Sequence, residues 1–335
     1  MTIPDLVPVS GLDTDPEAVA RFDAWAGVLE AAARHDQGED HDAWSAAELR
    51  ELEGSASKRR VQVLALDAGE PVGAAGVIAS LRDNPEVALL YVSVLPGARR
   101  RGTGDALAAW AVDAARGLGR TVLHAETQWG PDSDEDPHEP WMRRHSFAPA
   151  QTVLRSDLAV DGTMLPEPAV ATGYRLETHV DEMPEADLTD RALLARRMST
   201  DVPLGELELG EEAWDEDRVR GEDERTRAMG RRVVSSFARD LGSGRLVGYT
   251  SIQVPGHAPA LAFRLNTDEI VLAGPDHPLR AAGDPDTPAL YLAVRHGCEA
   301  RLNRSTYAQL AQIALDAGGG WVVSSQGAEF ALVPQ

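Results

Sequence analysis

Apolar residues between positions 16 and 33 recur at helical intervals, with Ala18, Phe22, Trp25, Val28 and Leu29 on one face. The spacing predicts a helix from about Pro16 to Ala33 and a shorter one over 42–52. The period then changes. "RRVQVLAL" (59–66) and "PVGAAGVIAS" (71–80) read as strands joined by a turn at "DAGE". "EVALLYVSVL" (86–95) is a longer strand, apolar enough to be buried on both faces. An amphipathic helix over 103–117 follows, then a strand "TVLHAET" (121–127), an Asp- and Pro-rich loop (128–140), a short helix "WMRRHSF" (141–147) and a strand over 153–160.

"DGTMLPEPAVATG" (161–173) has no periodicity and reads as a linker. Beyond it the order of elements repeats. Strand "YRLETHV" (174–180), helix 185–198 and a highly charged helix 210–230 precede paired strands "RRVVSSFARD" and "RLVGYTSIQV", with "EIVLAG" (269–274) as a third strand. "VQVLALDAGEPVGAAGVIAS" and "VVSSFARDLGSGRLVGYTSIQV" share strand, turn, V-G and strand. That parallel predicts a domain-sized duplication, with domains at 1–160 and 174–335. The mixed charges of 210–230 fit a solvated helix face.

At 335 residues the chain is long enough for two such domains. A single cysteine, Cys298, excludes an intramolecular disulfide. The first residues show no basic, apolar leader pattern and no stretch is long and apolar enough to span a bilayer, so the expectation is a cytoplasmic protein. With 54 Asp and Glu against 32 Lys and Arg, the formal net charge is −22, and nucleic acid or an anionic membrane surface would be repelled. Lys58 is the only lysine. On this background a cluster of cations marks a place where an anion is accepted.

One such cluster stands at a strand-to-helix junction: Arg99, Arg100 and Arg101, then Gly102, Thr103 and Gly104. The first N–H groups of a helix lack internal partners, and the macrodipole adds about half a positive charge there. Glycine lets backbone approach a phosphate closely, and arginine adds a forked cation. The chemistry expected is di- or triphosphate binding. A Walker A loop is excluded because its lysine is missing, and "GTGDAL" lacks the third glycine of a dinucleotide fingerprint.

The segment resembles motif A of the GCN5-related N-acetyltransferase (GNAT) superfamily, [RQ]-x-x-G-x-[GA], at Arg99, Gly102 and Gly104, and the surrounding elements of residues 1–158 match that family's layout. The resemblance implies an α/β fold of mixed sheets: two tandem GNAT-like domains, each a mostly antiparallel, splayed sheet flanked by helices. It implies acetyl-CoA as co-substrate, its pyrophosphate held by residues 99–104 and its pantetheine arm by main-chain groups of Val92, Ser93 and Val94. In the second half the corresponding stretch, 271–285, retains His277, Arg280 and Gly283, but Pro278 and Pro285 intrude, so that loop reads as degenerate. Residues 307–323 resemble the family's late helix and the strand start after it.

Acyl transfer to an amine needs a base for the amine proton and an acid for the departing thiolate. Glu86, Glu126 and Tyr91 are the candidates, with His124 either a proton carrier or a core histidine; Asp268 and Glu269 are analogous acids in the second half. The tyrosine expected before the "S-F" strand start is absent; Trp141, Met142 and His145 stand there instead. The acidic residues Asp132, Asp134, Glu135 and Asp136 lack a metal-ligand ladder, so no metal is expected, and an acidic lip suits a cationic acceptor. The expectation is a bacterial acetyl-CoA-dependent N-acetyltransferase acting on a primary amine, monomeric or homodimeric. The alternative is a non-catalytic acyl-CoA-binding or regulatory protein of the same fold.

Overall fold

Asp15 and Pro16 start the first helix: the Asp15 carboxylate accepts from the backbone N–H of Glu17 (3.0 Å) and Ala18 (3.1 Å), and proline fits the first helical position. This helix, α1 (Pro16–Gln37), runs a turn beyond its predicted end at Ala33 and stops at Gly38, whose φ of 95° favours glycine. The computed structural model describes residues 4–38, 41, 43–130, 135–158, 172–201, 204–256, 266–267, 271–272, 299–303 and 321–333. In α2 (Ala46–Glu53), Ser45 and Glu48 form a reciprocal capping box.

The sheet begins with a strand that the pattern did not reveal, β1 (Asp5–Val9), five residues containing Pro8 at a sheet edge. It pairs antiparallel with β2 (Lys58–Asp67), which pairs with β3 (Glu70–Ser80), and that with β4 (Val87–Val94). Helix α3 (Thr103–Gly117) returns the chain, so β5 (Val122–Trp129) joins β4 in parallel. Helix α4 (Glu139–Arg144) precedes β6 (Phe147–Leu158). The predicted helix 141–147 starts earlier because Pro140 fits its first turn, and ends before Ser146, whose φ is 66°.

In the second half, β7 (Tyr174–Val180), β8 (Arg231–Asp240) and β9 (Leu246–Pro255) form an antiparallel meander. Helices α5 (Leu188–Asp201) and α6 (Glu216–Ala228) precede β8. α6 is shorter than the predicted 210–230 because Asp215 caps it, its carboxylate accepting from Arg218 N at 2.7 Å. Short strands β10 (Asn266–Thr267) and β11 (Val271–Leu272) pair with β9, and β12 (Glu299–Asn303) pairs parallel with β10 and antiparallel with residues 153–156 of β6. The last strand is β13 (Trp321–Leu332).

The chain divides into two compact units that interleave in sequence. One comprises Met1–Thr152, Leu204–Leu209 and Ser325–Gln335; the other comprises Val153–Pro203 and Gly210–Ser324. The expected boundary near residue 160 therefore differs: β13 is an extra strand of the first unit, antiparallel to β5 from Gln326 to Ala331. The linker residues 161–171, most of the degenerate loop (273–285), Asp268, Glu269, Cys298 and the late-helix residues 307–320 lie outside the described residues.

Both faces of the first unit's sheet are covered. Phe22, Trp25 and Val28 of α1 pack with Leu64 and Ala74 on one face. On the other, Ala111 and Ala115 of α3 pack with Leu90, Leu123, Trp129 and Phe330. Such two-sided burial explains the near-continuous apolar run in β4. α3 lies close on β3 because Gly73 has no side chain: a Cβ there would stand 2.7 Å from Leu107 Cδ1 and 3.1 Å from Thr103 Cγ2. In the second unit, Leu194 of α5 packs on Phe237, Leu246 and Tyr249.

Candidate active site

Strands β4 and β5 stay paired only from Val87/Val122 to Leu90/Ala125. Beyond that point β4 keeps its partner β3 through Tyr91–Val94, and β5 keeps its partner β13 through Trp129. The facing edges of the two strands are left apart. Val92, Ser93 and Val94, the residues expected to meet a pantetheine arm, line the β4 side of this opening.

The loop after β4 leads to an uncapped helix. Gly102, the residue before α3, is left-handed (φ 92°) and no side chain caps the helix, so the first-turn N–H groups have no side-chain acceptor. Arg100 is also left-handed (φ 64°), a conformation costing a non-glycine residue about 1 kcal/mol. Arg100 and Arg101 are exposed. Thr103 is buried with its methyl toward Gly73, so it neither caps the helix nor offers its side chain to the loop. At Gly104 a Cβ would stand in ordinary contact with Trp141 and Val94, both at 3.7 Å.

Arg99 is committed elsewhere. Its Nη1 and Nη2 donate to the two oxygens of Asp36 in α1 (2.8 and 2.7 Å), and its Nε donates to the Val94 carbonyl (3.0 Å). The sequence pattern placed no role on Asp36, because it ended α1 before reaching it. The next residue, Gln37, donates to Gln128 Oε1 of β5 at 2.6 Å.

Asp105, in the first turn of α3, accepts from Trp141 Nε1 and pairs with His145 Nε2, each at 2.9 Å. The His145 hydrogen bond chiefly holds the Asp105 carboxyl below its usual range. The residues that replace the expected tyrosine thus tie α4 to the start of α3, while Met142 is buried in the core.

The three catalytic candidates separate. Glu126 is the first β5 residue past the paired segment, exposed at the opening, with Gln128 Nε2 donating to its carboxylate at 3.2 Å. Glu86 stands before β4 at the opposite end, roughly 20 Å of strand from Ser93, its carbonyl accepting from Thr121 N (2.8 Å) and Val122 N (2.9 Å). The fold does not bring Glu86 to the opening. Tyr91 begins the unpaired stretch of β4, but its ring turns toward α1, 6.1 Å from Trp25, and crosses Gly76. Burial pushes its phenol well above the usual tyrosine range, so it stays protonated, hydrogen-bonded by Gln62. Gln62 in turn donates to Glu53 at 2.6 Å, and burial raises the Glu53 carboxyl. This buried network was not foreseen.

His124, two residues before Glu126, is buried, and desolvation lowers its pKa and keeps the imidazole neutral. Of the acidic loop, Asp132 and Asp134 lie outside the described residues. Asp136 is structural, accepting from Thr127 Oγ1 (2.6 Å) and His138 N (2.7 Å). Among the described residues, Glu177, His179 and Asp187 place ligand atoms within 4.8 Å of one another. Arg239 already fills that group, donating to Glu177 (2.6 and 2.9 Å) and Asp187 (2.8 Å). The arrangement is an ion-pair cluster of the second unit.

Residues 26–130 match the acetyltransferase (GNAT) family model. The match lies within the first half of the chain. Residues 248–332 match a model described as the C-terminal domain of a protein of unknown function, DUF1285. A tandem GNAT protein from the clavulanic acid biosynthesis pathway is similar over 99% of both chains, at 20% identity and a TM-score of 0.72. A GCN5-related N-acetyltransferase from Sphaerobacter thermophilus is similar over 98% of this chain and 96% of its own, at 19% identity and a TM-score of 0.61. No curated protein matches. These likenesses show that the chain shares the mixed α/β fold of those proteins. Among the described residues no helix is long and apolar enough to cross a membrane.

Proposed function

We propose that this protein transfers an acetyl group from acetyl-CoA to a primary amine of a small molecule or peptide. The observation that carries the reading is the loss of β4–β5 pairing after Leu90 and Ala125, with the uncapped start of α3 following β4 in the chain. In this reading the amides of residues 101–104, with Arg100 and Arg101, hold the pyrophosphate. The free edge of Val92–Val94 orients the pantetheine arm by main-chain hydrogen bonds. Glu126 receives the proton that the amine loses, directly or through a water, as nitrogen bonds the acyl carbon and the carbon–sulfur bond breaks. The thiolate leaves and takes a proton from solvent, because Trp141 and His145 are engaged with Asp105. The exposed carboxylate of Glu126 favours a cationic acceptor.

That engagement of Trp141 and His145 also favours a second reading, a cytoplasmic acyl-CoA-binding regulator without turnover. Calorimetric titration of acetyl-CoA into the wild type and Gly104→Glu tests what the two readings share. A Cβ at Gly104 is in ordinary contact with Trp141 and Val94, and the new carboxylate would meet the phosphates, so binding should be lost, with thermal unfolding checking that the variant keeps its fold. Undiminished binding in the variant rejects the loop as the cofactor site. Thiol release on adding an amine, lost in Glu126→Gln, separates enzyme from regulator.

A further inference from the structure

Arg99 occupies the first position of the cofactor-loop pattern, yet its guanidinium is paired with Asp36 of α1. We propose that Asp36 is a positioning residue for the cofactor loop, acting through Arg99, and that Arg99 serves as a staple and not as a phosphate ligand. The inference rests on the acyl-CoA reading above.

The geometry is that of a fixed joint. A bidentate pair at 2.8 and 2.7 Å uses the planar fork of arginine and sets both its position and its orientation. The side chains are only 30% and 21% exposed, so solvent screens the pair less than a surface pair. The third bond, Nε to the Val94 carbonyl, anchors the same guanidinium to the last residue of β4. The loop that continues from Arg99 to α3 holds Arg100 at positive φ, a conformation that a non-glycine residue does not favour. A staple across its base supplies the constraint.

The adjoining residue extends the joint to the other strand. Gln37 donates to Gln128, so consecutive residues of one helical turn grip the loop after β4 and the free part of β5. That turn fixes the two sides of the opening relative to each other. Drawing Arg99 onto a phosphate would leave Asp36 half-buried and unpaired and would release one side of this grip. The exposed Arg100 and Arg101 can meet phosphate charge without such a loss.

The test is calorimetric titration of acetyl-CoA into the wild type, Asp36→Ala, Asp36→Asn, Arg99→Ala and the Asp36→Ala/Arg99→Ala double variant, at low and high salt. The expected result is binding weakened about 10-fold by either alanine substitution, with the double variant no weaker than the worse single one. Asp36→Asn, which keeps the shape, should fall between and covers a failure of Asp36→Ala to fold. Arg99→Ala should leave the salt dependence of binding unchanged, whereas Arg100→Ala should reduce it. The inference is overturned if Asp36→Ala binds as tightly as the wild type or tighter while Arg99→Ala binds weakly, since a freed Arg99 would then be the phosphate ligand. It is equally overturned if the two losses add. A wild type that does not bind acetyl-CoA refutes the acyl-CoA reading itself, a pattern distinct from either of these.

Discussion

Gly76 and Tyr91 face each other across β3 and β4, and the aromatic ring lies directly over the glycine. A Cβ at Gly76 would overlap the Tyr91 hydroxyl and its Cζ, so in Gly76→Ala the ring must leave. Overpacking of a full core costs about 1–3 kcal/mol, and separating Tyr91 from Gln62 leaves buried polar atoms unmatched at about 1–3 kcal/mol more. We expect a loss of about 3 kcal/mol, which for a domain of this size lowers Tm by about 6–12 °C. Acetyl-CoA affinity should fall as well, because Tyr91 is the first β4 residue past the paired segment. Thermal and urea unfolding of Gly76→Ala, Tyr91→Ala and the double variant give the coupling directly. The new methyl should find room once the ring is gone, so the double variant should lose less than the sum by at least about 1 kcal/mol. A Gly76→Ala protein within about 0.5 kcal/mol of the wild type, or additive losses, would refute the overlap argument.

The acid limb of stability should depend on Glu177. Hydrogen bonding from Arg239 is the main cause that lowers its pKa from 4.5 to about 2 in the folded protein. A lowered folded pKa gives stability that is present above 4.5 and is lost as pH falls toward 2, so Glu177→Gln should flatten the decline of urea midpoints over that window. Ser45→Ala removes one side of the α2 capping box and should cost about 1 kcal/mol in urea unfolding; no change would mean that tertiary packing alone fixes that helix start.

Much of the fold was legible because its elements follow simple periods. The run 86–95 is apolar on alternate faces because α1 and α3 cover the sheet from both sides, and the glycine-rich junction marks the turn into α3. The short strand Asp5–Val9 was not legible: five residues with a proline give too little alternation, and pairing with β2 decides it. The end of α1 was misjudged because "RHDQ" is polar. Its polar side chains are turned to partners, with Asp36 on Arg99 and Gln37 on Gln128. The pairing of Arg99 with Asp36 is therefore not readable from its local sequence. Glu86 and Glu126 looked equivalent as acidic residues at strand ends; only the parallel register of β4 and β5 sets one at the opening and the other far from it. The Tyr91–Gln62–Glu53 network joins three separate elements, and no local spacing encodes it.

The antiparallel seam between β5 and β13 bears on how the molecule comes into being. The strand that carries Glu126 borders a neighbour encoded far downstream, and Phe330 from that neighbour is fully enclosed in the first unit's core. While the ribosome is still producing the second unit, β5 presents a bare row of amide and carbonyl groups, and the core has a vacancy the size of a benzyl group. Closing that contact spans most of the chain and is slow compared with the local hairpins. A fragment ending at β6 would therefore be a sticky, hollow intermediate and not a small enzyme. The first unit is completed late in this architecture, when the returning strand pairs with β5.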